Sequence, residues 1–372
     1  MRTLLELIQW TTLAAMVAIT VTGCGGNTAD TNGKKRIVIL TNGDDPFWDA
    51  CFKGMEAGAK DFKIEKDNLV HAIDKGSEFK ADKQLEKLEQ YATQTDIAAV
   101  AISPVEAKNP QIAKAMKALR DKGVVVICLD SDMDTKHFRD SRFAYVGTDN
   151  RVGGEELGKT AKGLKPEGAK YATFVGLKTV ANAIERIQGF ADGAGSEFQS
   201  LDSMADDGDR NVAQENVKVV LDRHADAKID MLVGIWAYNA HAIVKVVEER
   251  NAGDQQTVVV FDAATLALEH LKAGRIDAMV VQNPYQMGYL SAKLMAACVK
   301  EDHASIKEIF KDYDPKKKEF TTPDGDIFNT ELRVVVPDET SPLKKEMFRP
   351  EVQFFYYKQF KAWLNERGLQ SS

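Results

Sequence analysis

A regular alternation of short apolar runs with amphipathic segments constrains the fold of this chain more than any other feature. From Arg36 onward, runs rich in Val and Ile are separated by stretches with the apolar spacing of helices. Runs that are apolar along their whole length are typical of parallel strands covered by helices on both faces. The pattern predicts strands at 36–41, 69–74, 97–103, 124–130, 171–176, 231–236, 257–262 and 278–282. Helices are predicted at 79–93, 110–122, 212–223 and 240–250.

This number of strands leaves two architectures open, a closed eight-stranded barrel or two open sheets. The chain has 372 residues, which is more than a single core usually serves. Phe143–Asn150 is a short extended run that ends in turn residues directly after a predicted strand, and it suits a crossover between two sheets better than another barrel strand. We therefore predict an α/β fold of two doubly wound, parallel-sheet lobes.

Composition and motifs exclude several classes of function. The 49 basic and 56 acidic residues give a net charge of −7, whereas a nucleic acid partner requires a basic face. The sequence contains no Ser-His-Asp pattern, no HExxH motif and no Walker loop, and its six histidines are scattered singly. We expect no cofactor and no metal.

The N-terminus has the layout of an export signal. The apolar run Leu13–Val21 is too short to span a bilayer permanently, and Val21-Thr-Gly-Cys24 follows it. This tetrapeptide resembles the bacterial lipobox, in which the cysteine is acylated and becomes the first mature residue. We expect a signal peptide over 1–23, a lipid on Cys24, a tether over 24–35, and a protein held at a bacterial membrane, in the periplasm or at the cell surface, through the lipid alone. The alternative is an N-terminal helix with a chance cysteine.

Three further cysteines, Cys51, Cys128 and Cys298, remain in the body of the chain. An odd number argues against a disulfide framework, although one bridge between two of them stays open. Buried thiols are the expectation, because Cys128 and Cys298 lie in apolar surroundings.

Polar residues close several of the predicted strands. Ser103, Asp130, Asp262 and Gln282 stand at strand ends in both halves of the chain. Each one alone could cap a following helix. Ligands of open α/β sheets bind outside the carboxyl ends of the strands, so the set as a whole predicts a shared binding site.

Several segments together resemble the periplasmic sugar-binding proteins related to ribose-binding protein, which share their fold with the ligand-binding core of the lactose-repressor family. The resemblance covers about residues 36–300. It rests on the segments Thr41–Trp48, Gly54–Gly58, Ile102–Pro104, Val125–Asp130, Gly147–Asn150 with Gly153 and Gly154, Glu185–Phe190, Val259–Asp262, and Val281–Pro284 with Gly288.

The resemblance implies a monomeric receptor that captures a small polar ligand, a sugar, by closing two hinged lobes, and delivers it to an ABC permease. A variant of this function passes the signal to a chemoreceptor or sensor kinase instead. We expect one lobe to comprise 36–147 and about 284–328, and the other 148–283 and about 329–372. The implied crossovers lie near 148–150, 282–284 and 336–338, with Asp149, Asn150 and Asn283 as hinge residues.

The resemblance also implies a set of ligand-binding residues. Phe47 and Trp48 would present aromatic faces to a sugar ring, carboxylates would accept hydrogen bonds from hydroxyl groups, and Arg186 would donate through its planar fork. Gln282 can both donate and accept. The full set is Asp45, Phe47, Trp48, Ser103, Asp130, Ser131, Arg186, Trp236, Asp262 and Gln282.

The same positions depart from the pattern of ribose binders. Ser131 stands where those proteins have an arginine, and Asp45, Ser103 and Trp236 stand where they have asparagines. Gly208 occupies the neighbourhood of an aromatic residue. We therefore expect another sugar or a polyol rather than ribose.

Two alternatives on the same fold remain to be weighed. Asp130 and Asp262 could form a carboxylate pair for glycoside hydrolysis, but a nearby arginine is expected to keep both ionised and to leave no general acid. A transcriptional regulator would need a helix-turn-helix ahead of the core, where the export signal stands.

The last part of the chain lies beyond the resemblance. The charged stretch 300–326 is expected to be an exposed insertion. Residues 329–337 are expected to form the last strand and the third crossover, and residues 354–368 a closing helix with Tyr356, Phe360 and Trp363 packed inward.

Overall fold

The computed structural model describes residues 33–372. The predicted signal peptide, Cys24 and the tether up to residue 32 lie outside the described residues. No helix of the described part is long and apolar enough to cross a membrane. Cys51, Cys128 and Cys298 are free thiols, the first two buried and the third half-buried.

The chain first builds one sheet with its covering helices, in strict alternation. These elements are β1 (Lys35–Leu40), α1 (Phe47–Asp61), β2 (Leu69–Asp74), α2 (Ala81–Thr93), β3 (Ile97–Ile102), α3 (Pro110–Asp121), β4 (Val125–Asp130), α4 (Thr135–Phe138) and β5 (Tyr145–Gly147).

A second alternating series follows. It consists of α5 (Asn150–Leu164), β6 (Lys170–Val175), α6 (Ala181–Ala194), β7 (Gln199–Ala205), α7 (Arg210–Arg223), β8 (Met231–Gly234), α8 (Asn239–Glu249), β9 (Thr257–Phe261), α9 (Thr265–Lys272) and β10 (Ala278–Val281).

The remaining elements return to the first sheet and then to the second. They are α10 (Pro284–Val299), α11 (His303–Ile309), β11 (Tyr313–Asp314), β12 (Glu319–Phe320), β13 (Ile327–Asn329), β14 (Arg333–Val336), β15 (Gln353–Tyr356) and α12 (Tyr357–Glu366). Short 3-10 helices occur at Ile64–Asp67, Arg139–Ser141, Gly253–Gln255 and Lys345–Met347.

The strands form two large open sheets, so the prediction of two α/β lobes is confirmed over the barrel. The six-stranded sheet has the order β13-β5-β4-β3-β1-β2, and the seven-stranded sheet has the order β15-β14-β10-β9-β8-β6-β7. All neighbours within them run parallel except β10 and β14. We call the six-stranded sheet with its helices the first lobe and the seven-stranded sheet with its helices the second lobe.

The chain passes between the two sheets three times. The passages lie between β5 and α5, between β10 and α10, and between β13 and β14. The third passage therefore lies at 330–332, and the sequence-based position near 336–338 was wrong. The run 329–337 looks continuous in sequence, but it contains the end of one strand and the whole of another in different sheets.

Helix α10 is fixed to the first lobe by a close backbone approach to α1. A Cβ atom on Gly288 would overlap the carbonyl oxygen of Cys51, and one on Gly54 would overlap the carbonyl oxygen of Tyr285. Only glycine allows two helices to pack at this distance. The contact anchors the chain where it returns from the second lobe.

The charged stretch 300–326 is largely exposed, as expected, but it is also anchored in the first lobe. Phe310 and Tyr313 are buried in its core. Asp326 accepts hydrogen bonds from Arg139 Nε at 2.9 Å and from the buried Arg142 Nη1 at 2.7 Å. The charges that suggested exposure in the sequence are thus partly neutralised by ion pairs.

The end of the chain also differs from the expectation. Residues 353–356 form β15, and helix α12 begins only at Tyr357, so the predicted helix over 354–368 was too long. Phe360 is buried in the core and Trp363 packs against it, as expected.

Candidate ligand-binding site

A cavity with an empty volume of about 380 Å³ lies between the lobes, at the carboxyl ends of the strands. The first lobe lines it with Asn42, Asp45, Phe47, Trp48, Phe79 and Asp130, and the second lobe with Asn182, Arg186, Trp236, Ala237, Tyr238, Asp262 and Gln282.

Most of the residues chosen from the sequence meet at this cavity. Those that line it are Asp45, Phe47, Trp48, Asp130, Arg186, Trp236, Asp262 and Gln282. Ser103 and Ser131 are buried and are not among the lining residues. Ser103 lies one layer behind, where its hydroxyl donates to Asp130 Oδ2 at 3.1 Å, so it positions that carboxylate.

The aromatic residues of the first lobe are held at the start of α1. Asp45 Oδ1 accepts a hydrogen bond from the backbone N–H of Phe47 at 2.9 Å, which fixes the turn into the helix. The indole of Trp48 donates to Asn42 Oδ1 at 3.1 Å. Since Trp48 is only 2% exposed and belongs to the core cluster, it forms a rigid wall, whereas the half-buried Phe47 is more accessible.

Asp130 and Asp262 occupy equivalent places in the two lobes. Asp130 is the last residue of β4 and Asp262 follows β9, and both have left-handed backbone, with φ of 64° and 68°. Asp130 Oδ2 also accepts from Asn182 Nδ2 of the second lobe at 3.2 Å. Asp262 Oδ1 accepts from Gln282 Nε2 at 3.0 Å, and Gln282 Oε1 accepts from Thr148 Oγ1 at 2.8 Å.

Burial raises the pKa of both carboxyl groups. The pKa of Asp262 rises to about 7, although Arg186 and Gln282 act in the opposite direction. The pKa of Asp130 is raised by the same loss of solvation. For Asp262, the expectation that the arginine keeps the carboxyl group ionised therefore does not hold below about pH 7, because desolvation outweighs the attraction.

Arg186 is fixed by the protein in the floor of the cavity. Its Nε donates to Asn150 Oδ1 at 2.9 Å and its Nη1 to the carbonyl of Ile235 at 3.3 Å. The guanidinium carbon lies 3.9 Å from the centre of the Phe261 ring. Nη2 is buried and has no hydrogen-bond partner among the described residues. This nitrogen is a donor available to a ligand.

Phe79 also contributes an aromatic ring to the cavity, from a loop of the first lobe that reaches the second lobe. It follows β2 in the first lobe, yet its ring lies 5.9 Å from the ring of Trp236 in the second lobe. A Cβ atom on Gly208 would lie 2.8 Å from the Phe79 ring. The second lobe thus lacks a side chain at Gly208, and an aromatic ring from the opposite lobe occupies the space.

Sequence reasoning missed Asn42, Phe79, Asn182, Ala237 and Tyr238. For Asn182 a signal existed, because it precedes Arg186 by one helical turn on the same face of α6. Its Oδ1 accepts from the indole of Trp236 at 3.1 Å, and its amide reaches Asp130. It therefore links the two lobes at the centre of the site.

Further contacts cross between the lobes around the cavity. Arg210 Nη2 lies 3.6 Å from Asp45 Oδ2, and the backbone N–H of Ala107 donates to the carbonyl of Thr179 at 3.4 Å. The lobes are therefore in contact at more than one place.

The residues predicted as hinges lie at two of the passages between the sheets. Asp149 caps α5 by accepting from Val152 N at 3.0 Å, and Asn283 caps α10 by accepting from Gln286 N at 3.1 Å. Asn150 holds Arg186. Their part in a lobe movement stays a prediction.

The fold and the interlobe cavity define a two-lobed binding protein. Residues 36–302 match the family described as periplasmic binding protein domain, and the chain belongs to this family.

Among its relatives, the D-allose-binding periplasmic protein of Escherichia coli is 28% identical over 267 residues, which are 69% of this chain and 82% of that protein. The ribose import binding protein RbsB of Bacillus subtilis is 24% identical over 269 residues, 71% of this chain and 82% of that protein. The solved structure of an ABC transporter solute-binding protein from Burkholderia graminis in complex with D-arabinose has a TM-score of 0.68 at 22% identity, covering 84% of this chain and 98% of that one. These relatives are substrate-binding proteins rather than enzymes.

Proposed function

We propose that this chain captures a monosaccharide between its two lobes and delivers it to an ABC permease without transforming it. The observation that carries the proposal is the cavity itself, which both lobes line with aromatic faces and hydrogen-bonding groups. Aromatic rings suit the C–H faces of a sugar, and carboxylates, amides and a guanidinium suit its hydroxyl groups. The names of the allose and ribose relatives support the same class of ligand.

The mechanism is closure of the lobes over the ligand. Asp130 and Asp262 come from different lobes, so a sugar that binds both carboxylates stabilises the closed arrangement relative to the open one. The passages beside Asp149, Asn150 and Asn283 would absorb the movement. The closed form of the monomer is then what the permease recognises.

We also propose that the protein is exported and tethered through a lipid on Cys24, which lies outside the described residues. The lipobox-like Val21-Thr-Gly-Cys24 supports this proposal. Expression of the full chain with a radiolabelled fatty acid should label the wild type and leave Cys24→Ser unlabelled. Equal labelling of both would contradict it.

Sugar binding is tested by the thermal unfolding midpoint of residues 24–372 in the presence of single monosaccharides. A ligand that binds only the native state raises the midpoint by mass action. We expect at least one monosaccharide to raise it in the wild type and to have no effect on Arg186→Met, which lacks the free Nη2 donor. Midpoints raised by nucleosides or peptides but by no sugar would overturn the proposal.

A further inference from the structure

The cavity contains more acidic than basic side chains. Asp45, Asp130 and Asp262 supply three carboxyl groups, and Arg186 supplies one guanidinium. Arg210 approaches Asp45 at the rim, but its side chain is 61% exposed. Water screens an exposed charge, so Arg210 compensates little for carboxylates inside the site. The interior therefore has a negative potential when these groups are ionised.

The buried guanidinium does not neutralise Asp262. Arg186 directs Nε and Nη1 to oxygen atoms of Asn150 and Ile235. Its Nη1 is 3.7 Å from Asp262 Oδ2, which is too long for a hydrogen bond. Burial, together with the charges of Asp130 and Asp45, holds the pKa of Asp262 near 7. A cation placed in the cavity would supply the missing compensation.

The other groups of the cavity also suit a cation. Asp130 Oδ1 and Asp262 Oδ2 accept no hydrogen bond within the described part of the chain, since the bonds observed go to Asp130 Oδ2 and Asp262 Oδ1. The rings of Phe47, Phe79 and Trp236 line the same space, and aromatic faces attract cations. Free acceptors and aromatic faces together match a ligand rich in N–H and O–H donors.

We propose that the pocket selects sugars by charge: it binds an amino sugar, with the ammonium against Asp130 and Asp262, more tightly than the neutral parent sugar, and it excludes uronic acids. The inference rests on the proposed function, because it assumes that the cavity binds a monosaccharide. A hydrogen bond between ionised partners is about twice as strong as a neutral one, which corresponds to about a tenfold gain in affinity for one such contact.

Isothermal titration calorimetry with matched sugars tests the proposal. Each series contains a neutral hexose, its 2-amino sugar, the N-acetylated amine and the uronic acid, in the gluco, galacto and manno configurations. We expect the amine of the preferred series to bind at least about tenfold more tightly than the neutral sugar. Acetylation should remove the gain, because it removes the charge, and the uronic acid should not bind.

The outcomes separate this inference from the proposed function. If neutral sugars bind and no amine binds more tightly, charge selection is wrong while sugar capture stands. If a uronic acid binds as tightly as its neutral parent sugar, charge selection is also wrong while sugar capture stands. If no sugar of any class binds, the proposed function itself fails.

Two variants test whether the carboxylates of the cavity cause the charge selection. In Asp262→Asn the affinity for the amino sugar should fall by a clearly larger factor than the affinity for the neutral sugar, because both lose a contact but only the amino sugar also loses a charge pair. Asp277→Asn is the matched control, because Asp277 immediately precedes β10 at the opposite end of the same sheet. Within residues 33–372 its side chain accepts only from the backbone N–H of Val258, at 2.8 Å. Thermal unfolding verifies that both variants are folded. If folded Asp262→Asn still binds the amino sugar more tightly than the neutral sugar by the same factor as the wild type, Asp262 is not responsible for the charge selection.

Discussion

Replacing Asp262 by asparagine should stabilise the ligand-free protein, and increasingly so as the pH rises. The Asp262 side chain is 5% exposed, and burial raises its pKa from 3.8 to about 7. Between these two values the unfolded chain has released the proton while the folded chain still holds it. Because the folded state then binds more protons, its stability falls as the pH rises through this window.

The size of this stability difference follows from the difference between the folded and unfolded pKa values of Asp262. About three pKa units separate the folded and unfolded values, and each unit corresponds to about 1.4 kcal/mol, so the full cost is about 4 kcal/mol above pH 7 and vanishes below about pH 4. Asparagine keeps an oxygen that can accept from Gln282 Nε2 and stays neutral throughout. The variant therefore avoids the cost of ionising a buried group.

Urea unfolding followed by tryptophan fluorescence at about pH 5 and about pH 8 measures the effect. The advantage of Asp262→Asn over the wild type in free energy of unfolding should be about 2–3 kcal/mol larger at pH 8 than at pH 5, where part of the cost is already present. Asp222→Asn serves as a control, because this exposed group has its pKa lowered by Arg250 and should show no such gain. A difference between Asp262→Asn and the wild type that does not change with pH would refute the reasoning.

Two further substitutions test the packing around the site. Phe79→Ala should weaken sugar binding about five- to tenfold by removing one aromatic wall of the cavity. An unchanged affinity in calorimetry would contradict this prediction. Gly288→Ala should lower the free energy of unfolding by about 1–3 kcal/mol, because the new Cβ overlaps the carbonyl oxygen of Cys51. Gly253→Ala is the control, because a Cβ atom added at Gly253 would meet no atom within 4 Å apart from the adjacent residues. Equal losses of stability in both variants would contradict the packing argument.

The fold could be predicted where strands are buried on both faces. All residues of β3, β8 and β10 are buried, and their continuous apolar runs are visible in the sequence. The strands that were not predicted from the sequence are either partly exposed or very short. β7 and β15 are the two edges of the second sheet and are only partly buried, while β11 and β12 have two residues each. Edge strands need not be apolar on both faces, and very short strands leave no periodic signal.

The site could be predicted where it is formed by strand ends, since topology places Asp130 at the carboxyl edge of the first sheet and Asp262 and Gln282 at the carboxyl edge of the second. Phe79 could not be found in this way. It reaches the cavity from a loop with left-handed backbone at both Glu78 and Phe79, with φ of 52° and 55°. Its partner Trp236 belongs to the other lobe. Such a contact depends on how the lobes pack, which no local pattern encodes.

Asp130 and Asp262 occupy equivalent strand ends, and this position could be predicted from the sequence. Their ionisation could not, because it depends on burial. Each follows the same strand geometry in its own lobe, and each has a left-handed backbone that costs a non-glycine residue about 1 kcal/mol or more. Each also carries a carboxyl group whose pKa is raised by burial. Residues placed for stability alone would avoid both costs. A donor-rich ligand held between them would offset the desolvation of both carboxylates at once, and only when the lobes are together. Under the proposed function, ligand binding and closure would therefore be coupled through the same two groups, and a substitution that stabilises the empty protein at Asp262 should weaken that coupling.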